Sequence, residues 1–160
     1  ELFGVKPQVF RNTELAYNDS LAHWAEEKGY KAILAEGWDK ILGWRSPNYV
    51  YRPAGCRHLK LLLKNYRLSD DIAFRFSDRG WQDWPLTGEK YLSWLKGSAQ
   101  NEDIINLFMD YETFGEHQNA STGILEFMRA LPEAVLANTE LKFVTPSEAA
   151  AKHQVLQQPF

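Results

Sequence analysis

The sequence predicts an α/β fold in which parallel strands alternate with helices, and three observations predict it. First, short apolar runs at residues 31–35, 59–63 and 104–109 are bounded by polar residues and are too brief for ordinary helices. Runs of that kind are strands buried on both faces, the habit of parallel sheets. Second, the stretches between them carry apolar residues at helical spacing, with capping residues at their ends. Third, strand-like segments finish on acidic residues: Glu14, Glu36 and Asp110. Charged groups at the C-terminal ends of parallel strands are where barrel enzymes keep their chemistry. The alternation fits either an α/β barrel or an open parallel sheet.

Taken in order, Val9 and Phe10 begin a strand that runs toward Glu14. A helix follows, capped by Asn18, Asp19 or Ser20, with Leu21, Trp24 and Ala25 on its apolar face and Gly29 as its stop. Residues 31–35 return as a strand ending on Glu36, which completes a βαβ unit. Residues 41–48 read as a loop, 49–51 as a short strand and 59–63 as a buried one. Ser69, Asp70 and Asp71 have the form of a helix N-terminus, a cap followed by acids that suit the dipole. Residues 81–85 form an aromatic loop. Thr87 caps a helix with Tyr91, Trp94 and Leu95 on one face, ended by Gly97. Residues 104–109 are the central strand, stopping on Asp110. Thr122 caps an amphipathic helix through Ile124, Phe127, Met128 and Leu131, which Pro132 either kinks or restarts. Residues 141–144 read as a last strand, and Thr145, Pro146 and Glu148 as a capping box. Leaving aside the short segment 49–51, that makes about five strands by pattern alone.

The 160 residues suit one domain with one core. With 44% hydrophobic and 24% charged residues the composition is that of a globular protein. The net charge of −3 gives no footprint for nucleic acid. No apolar run approaches a membrane span. Cys56 is alone, so no intrachain disulfide can form. The four histidines, His23, His58, His117 and His153, are scattered with no His-x-x-x-His pair, so neither a metal site nor a cofactor is expected. Six Trp, seven Tyr and nine Phe are a heavy aromatic load, and flat rings suit the C–H faces of sugars as well as a core. The chain opens on Glu1 and nearly at once in a strand, as a piece of a longer protein would. Localisation therefore stays open, a cytoplasmic one being favoured.

The segment Asp110-Tyr111-Glu112-Thr113-Phe114-Gly115 resembles the Asp-x-Glu-x-Phe-Gly motif of glycoside hydrolase family 57, and Met109 through Gln118 resembles the form found in its α-amylase-like members. Phe10-Arg11-Asn12-Thr13-Glu14-Leu15, followed by a helix and Gly29-Tyr30-Lys31-Ala32-Ile33-Leu34, resembles the family's third conserved region. Residues 68–76 also resemble α-amylase-like members. The resemblance implies a (β/α)7 barrel of which residues 1–160 supply the later part. The earlier part, with its His-Gln-Pro region, is absent, so the piece alone is expected to be inactive.

The resemblance assigns Glu14 as catalytic nucleophile and Asp110 as general acid/base of a retaining hydrolase of α-1,4-glucans. Alternatives are a 4-α-glucanotransferase and a non-catalytic glucan-binding barrel. Retention places the two carboxyl groups about 5–5.5 Å apart. A plainer role for Glu14 is a loop ion pair with Arg11. Glu112, two residues past Asp110, points the same way if strand geometry continues. It then either orients a sugar hydroxyl or keeps Asp110 protonated by like-charge repulsion; otherwise it caps the loop. Glu36 is a candidate hydrogen-bond partner for substrate, and Trp38 and Trp44 are candidates to stack on sugars. His117 either meets a sugar hydroxyl, supports Asp110 or is structural. Arg75 is either structural or within reach of the site.

Overall fold

A computed structural model describes residues 3–138 and 140–156 of the chain. In chain order its elements are β1 (Val9–Arg11), α1 (Asp19–Glu27), β2 (Ala32–Glu36), α2 (Asp39–Leu42), β3 (Val50–Tyr51), β4 (Lys60–Lys64), α3 (Tyr66–Ala73), α4 (Gly88–Ala99), α5 (Ile124–Leu136) and α6 (Pro146–Lys152). They fall into two units. The first comprises Glu1–Lys64, Asp103–Asn106 and Val144–Phe160, the second Asn65–Glu102 and Leu107–Phe143.

In the first unit the apolar runs become the sheet, in the order β1-β2-β4-β3. β1, β2 and β4 are parallel, with Arg11 opposite Leu34 and Glu36 opposite Lys64. Ile33, Leu61, Leu62 and Leu63 have no solvent exposure, as strands covered on both faces require. α1 connects β1 to β2. Asn18 caps it by accepting from Leu21 N at 2.8 Å, and Gly29, at φ 84°, closes it. α1 packs through Ala22 and Ala25, both buried. Trp24, expected in that face, lies half-exposed and meets Phe10 edge-on at 5.1 Å instead.

The carboxylate of Glu26, on α1, accepts from the backbone N–H groups of Arg57, His58 and Leu59 at 2.6–3.1 Å. Burial alone would raise its pKa. The three backbone hydrogen bonds outweigh that and hold it below the ordinary 4.5. α6 closes the unit. Its capping box forms as the sequence predicts, Thr145 Oγ1 accepting from Glu148 N and Glu148 Oε2 from Thr145 N. Lys60 Nζ donates to the carbonyls of Ala150 and His153 at its other end.

β3 runs antiparallel to β4, with Val50 opposite Leu62 and Tyr51 opposite Leu61, so the sheet is mixed. The expected central strand is affected by this pairing. Residues 104–109 form no strand, because β2 and β3 occupy both edges of β4. The segment is held singly instead. Asp103 N and Ile104 N donate to Asn48 O, and Asn106 Nδ2 donates to Leu63 O at 3.0 Å, just beyond the two residues that β3 covers.

In the second unit the described elements are helices and short turns. α3 begins at Tyr66, three residues before the expected cap, because Asn65 Oδ1 accepts from Leu68 N. Ser69 is fully buried and its hydroxyl donates to Asn65 O. Tyr91 of α4 reaches back to Leu68 O at 2.8 Å and packs edge-on against Phe127 of α5. α4 runs past Gly97 to Ala99, and α5 carries Pro132 inside it without ending there. Residues 141–144 form no strand. Lys142 interrupts the apolar run, and the stretch crosses from the second unit, which ends at Phe143, into the first, which resumes at Val144. The expected loop at residues 41–48 starts later than predicted, since Ile41 and Leu42 belong to α2.

Candidate active site

β1 fixes the chain as far as Arg11 opposite Leu34. A single 3-10 turn, Thr13–Leu15, then follows. Within it Glu14 has φ 54° and Leu15 φ 56°, both in the left-handed region. An L-residue with a side chain there is disfavoured by about 1–2 kcal/mol. Burial of Leu15 helps to hold the turn, with Leu15 N donating to Asn12 O and the Asn12 amide to Ala16 O. Glu14 is left exposed at the C-terminal end of the parallel strands. Among the described residues its carboxylate meets no hydrogen-bond or ion-pair partner, so the pairing with Arg11 does not form.

Glu36 ends β2 on the same edge of the sheet. Its Oε1 accepts from Gly37 N at 3.0 Å and its Oε2 sits 3.3 Å from Lys64 Nζ, its register partner on β4. Gly37 lets the two strand ends lie this close. A Cβ on it would fall 2.0 Å from Lys64 O, well inside contact. Trp38 is 51% exposed, with Lys40 Nζ 5.3 Å from its ring centroid, and Trp44 is 80% exposed. Arg45 caps the end of α2, which lies between them, by donating to Ile41 O and Leu42 O.

The other predicted residues lie in the second unit. Asp110 is exposed and extended at φ −76°. It follows no strand. The expected common direction of Asp110 and Glu112 fails for the same reason: a 3-10 turn, Tyr111–Thr113, starts at once, and at three residues per turn alternate side chains diverge. Glu112 does act as a loop closer, but through its backbone, its carbonyl accepting from Glu116 N and His117 N at 3.2 and 2.9 Å. Glu112 and His117 are thereby drawn together at the backbone, with both side chains exposed.

Beneath them lie two residues that sequence reasoning missed. Gln118 is 3% exposed, and its Nε2 donates to Ala73 O on α3 at 3.0 Å. Its Oε1 is buried with no partner among the described residues, an arrangement that costs about 1–3 kcal/mol. Ser69 Oγ accepts from Phe108 N at 3.1 Å. The only signals were the position of Gln118 at the end of the motif and a Ser-Asp-Asp triplet that mimicked a cap. Among the described residues no group of three His, Cys, Asp or Glu side chains could hold a metal ion, and no helix is long and apolar enough to cross a membrane.

Residues 1–157 match the family described as glycosyl hydrolase family 57. The chain belongs to that family. It is 54% identical over 149 residues to a protein of Methanocaldococcus jannaschii named "Putative alpha-amylase", covering 92% of this chain and 31% of that protein. Its fold is similar to the crystal structure of 4-alpha-glucanotransferase from Thermococcus litoralis, with a TM-score of 0.70 at 18% identity, over 96% of this chain and 24% of that one. The chain thus spans about a third or less of the length of the proteins it matches. The fold read from the sequence, α/β as part of a (β/α)7 barrel, is borne out by that likeness.

Proposed function

We propose that the protein carrying this chain is a retaining glycoside hydrolase of α-1,4-glucans, α-amylase-like, and that residues 1–160 supply part of its catalytic domain. The observation that carries this reading is Glu14: a carboxylate in left-handed backbone, exposed at the C-terminal end of a parallel strand and unpaired among the described residues. Backbone strain at an exposed, unpaired acid is a mark of a functional position.

Glu14 attacks the anomeric carbon, forming a glycosyl ester as the glycosidic C–O bond breaks. Asp110 gives its proton to the departing oxygen, then takes one from the water that hydrolyses the ester. No cofactor is needed. Glu36 and Trp38 serve on the substrate side, the first as an acceptor for sugar hydroxyls and the second as a stacking surface. Glu112 and His117 sit on the turn that Asp110 opens and meet neighbouring hydroxyls. The substrate partner is a maltooligosaccharide or longer α-glucan.

The fold likeness to a 4-alpha-glucanotransferase favours a second reading in which a sugar hydroxyl replaces water as acceptor. Product analysis of the whole enzyme separates the two, since transfer lengthens some chains without releasing reducing ends. The decisive experiment for either is Glu14→Gln with azide and an activated substrate. An inverted glycosyl azide supports the nucleophile, whereas activity within tenfold of the parent rules it out. A crystal structure of the whole enzyme with carboxyl groups of Glu14 and Asp110 about 5–5.5 Å apart would support retention.

A further inference from the structure

We propose that Ser69 and Gln118 are positioning residues for the general acid, acting as a two-point clamp on the segment that carries it; this rests on the reading of Asp110 as that acid. Ser69 and Ala73 are four residues apart on α3 and so lie on one face of it. The Ser69 hydroxyl holds Phe108 N, two residues before Asp110, and Ala73 O holds the Gln118 amide, eight residues after it. Between the two pins the segment closes on itself. Thr113 N donates to Asp110 O, Gln118 N to Thr113 O and Gly115 N to Gln118 O. Ser69 is fully buried and Gln118 nearly so, whereas Asp110, Glu112 and His117 between the pins are exposed.

Three features point to positioning rather than packing. The segment has no strand ladder to define its path. The hydroxyl of Ser69 is used in both directions, donating to Asn65 O and accepting from Phe108 N, which ties the segment to the cap of α3. Position 118 carries an amide although its Oε1 is buried without a partner among the described residues. An apolar side chain of the same length would remove that unsatisfied acceptor but would also leave Ala73 O, at the end of α3, without its donor; the amide is used for that one bond, and its N–H to Ala73 O fixes where the turn ends.

The test uses Ser69→Ala and Gln118→Met in the whole enzyme, with Asp110→Asn beside them. A displacement of about 1 Å at a reacting group costs about 100-fold. Each clamp variant is expected to lose about that factor in kcat on maltoheptaose with little change in KM. On an aryl maltoside whose leaving group needs no proton the loss should shrink to a few-fold. The basic limb of the pH–rate profile, which reports the acid, should move in the same variants. Equal loss on both substrates, an unmoved basic limb or unchanged kcat in both variants would overturn the clamp. So would unfolding of both at the assay temperature, which would make these residues supports of the core. If Asp110→Asn itself shows no dependence on leaving group, the reading of Asp110 fails. If it shows that dependence and the clamp variants do not, only the clamp fails.

Discussion

Glu14 follows a strand whose ladder to β2 fixes its last residue; Asp110 follows a segment with no ladder at all. The two are held by opposite means. Behind Glu14 the sheet supplies rigid backbone, and the chain carries two consecutive left-handed residues there. Around Asp110 the backbone is relaxed, and position depends on two side chains and a closed turn. A ladder that spreads its hydrogen bonds over several residues can hold strain. A segment pinned at two points gains more from an unstrained path. The proposed nucleophile therefore sits on stiff, strained ground and the proposed acid on relaxed ground steadied by polar contacts.

The largest effect should come from breaking the strained side. Glu14→Gln is expected to lower hydrolysis by about four orders of magnitude, with circular dichroism unchanged, as for other residues that act as a catalytic unit. Asp110→Asn should cost about 10²–10⁴-fold on starch and far less on an activated aryl substrate. Comparable losses on both substrates would make Asp110 structural.

The stiffness of the sheet side can be tested directly. Gly37→Ala puts a Cβ against Lys64 O and should destabilise by about 3 kcal/mol in urea titration, more than any single change in the 110–117 turn. Glu26→Gln unpicks the carboxylate that binds residues 57–59 ahead of β4. Because folding depresses the pKa of Glu26, its stabilisation is present above about pH 4.5 and is lost as pH falls through the folded value. The variant should be about 1–2 kcal/mol less stable than the parent at pH 7, and the gap should close in acid. A gap that persists at pH 2–3 would show that the charge is not what matters.

The smallest and most pointed pair is Glu14→Gly and Asp110→Gly. Glycine at Glu14 relieves left-handed strain and should raise stability by about 1 kcal/mol, while at Asp110 it should lower it by a similar or smaller amount. Opposite signs in thermal melts would confirm the contrast; equal signs would dissolve it.

How much of this could be read from sequence follows the same division. Strands β1, β2 and β4 and helix α1 were legible because each obeys a local rule: an apolar run of strand length, or a cap, an apolar face and a terminal glycine. The capping box of α6 was legible for the same reason. Residues 104–109 misled because an apolar run says that a segment is covered, not that a strand edge is open to it; the pairing of β3 with β4 is a tertiary fact. Ser69 misled because a serine before two aspartates suits a helix start, and only Asn65, four residues earlier, shows the real one. Beyond its place at the end of the motif Gln118 gave no sign of its role, since a buried amide and an exposed one are written alike. The strain at Glu14 was invisible too, glutamate having no preference for left-handed backbone.

The grip of Lys60 on the end of α6 bears on the order of assembly. The Lys60 ammonium holds carbonyls 90 and 93 residues further along the chain, and Leu156 N returns to Val50 O. α6, which packs on the first unit's sheet, is thus made after α3, α4 and α5. Contacts such as α4 with α5 span a much shorter stretch of chain and can form earlier, whereas docking α6 on β2 and β4 must close a loop of that length first. On an emerging chain, the strands wait for α6, and a ribosome stalled before Pro146 would hold a sheet whose Lys60 has no helix end to grip.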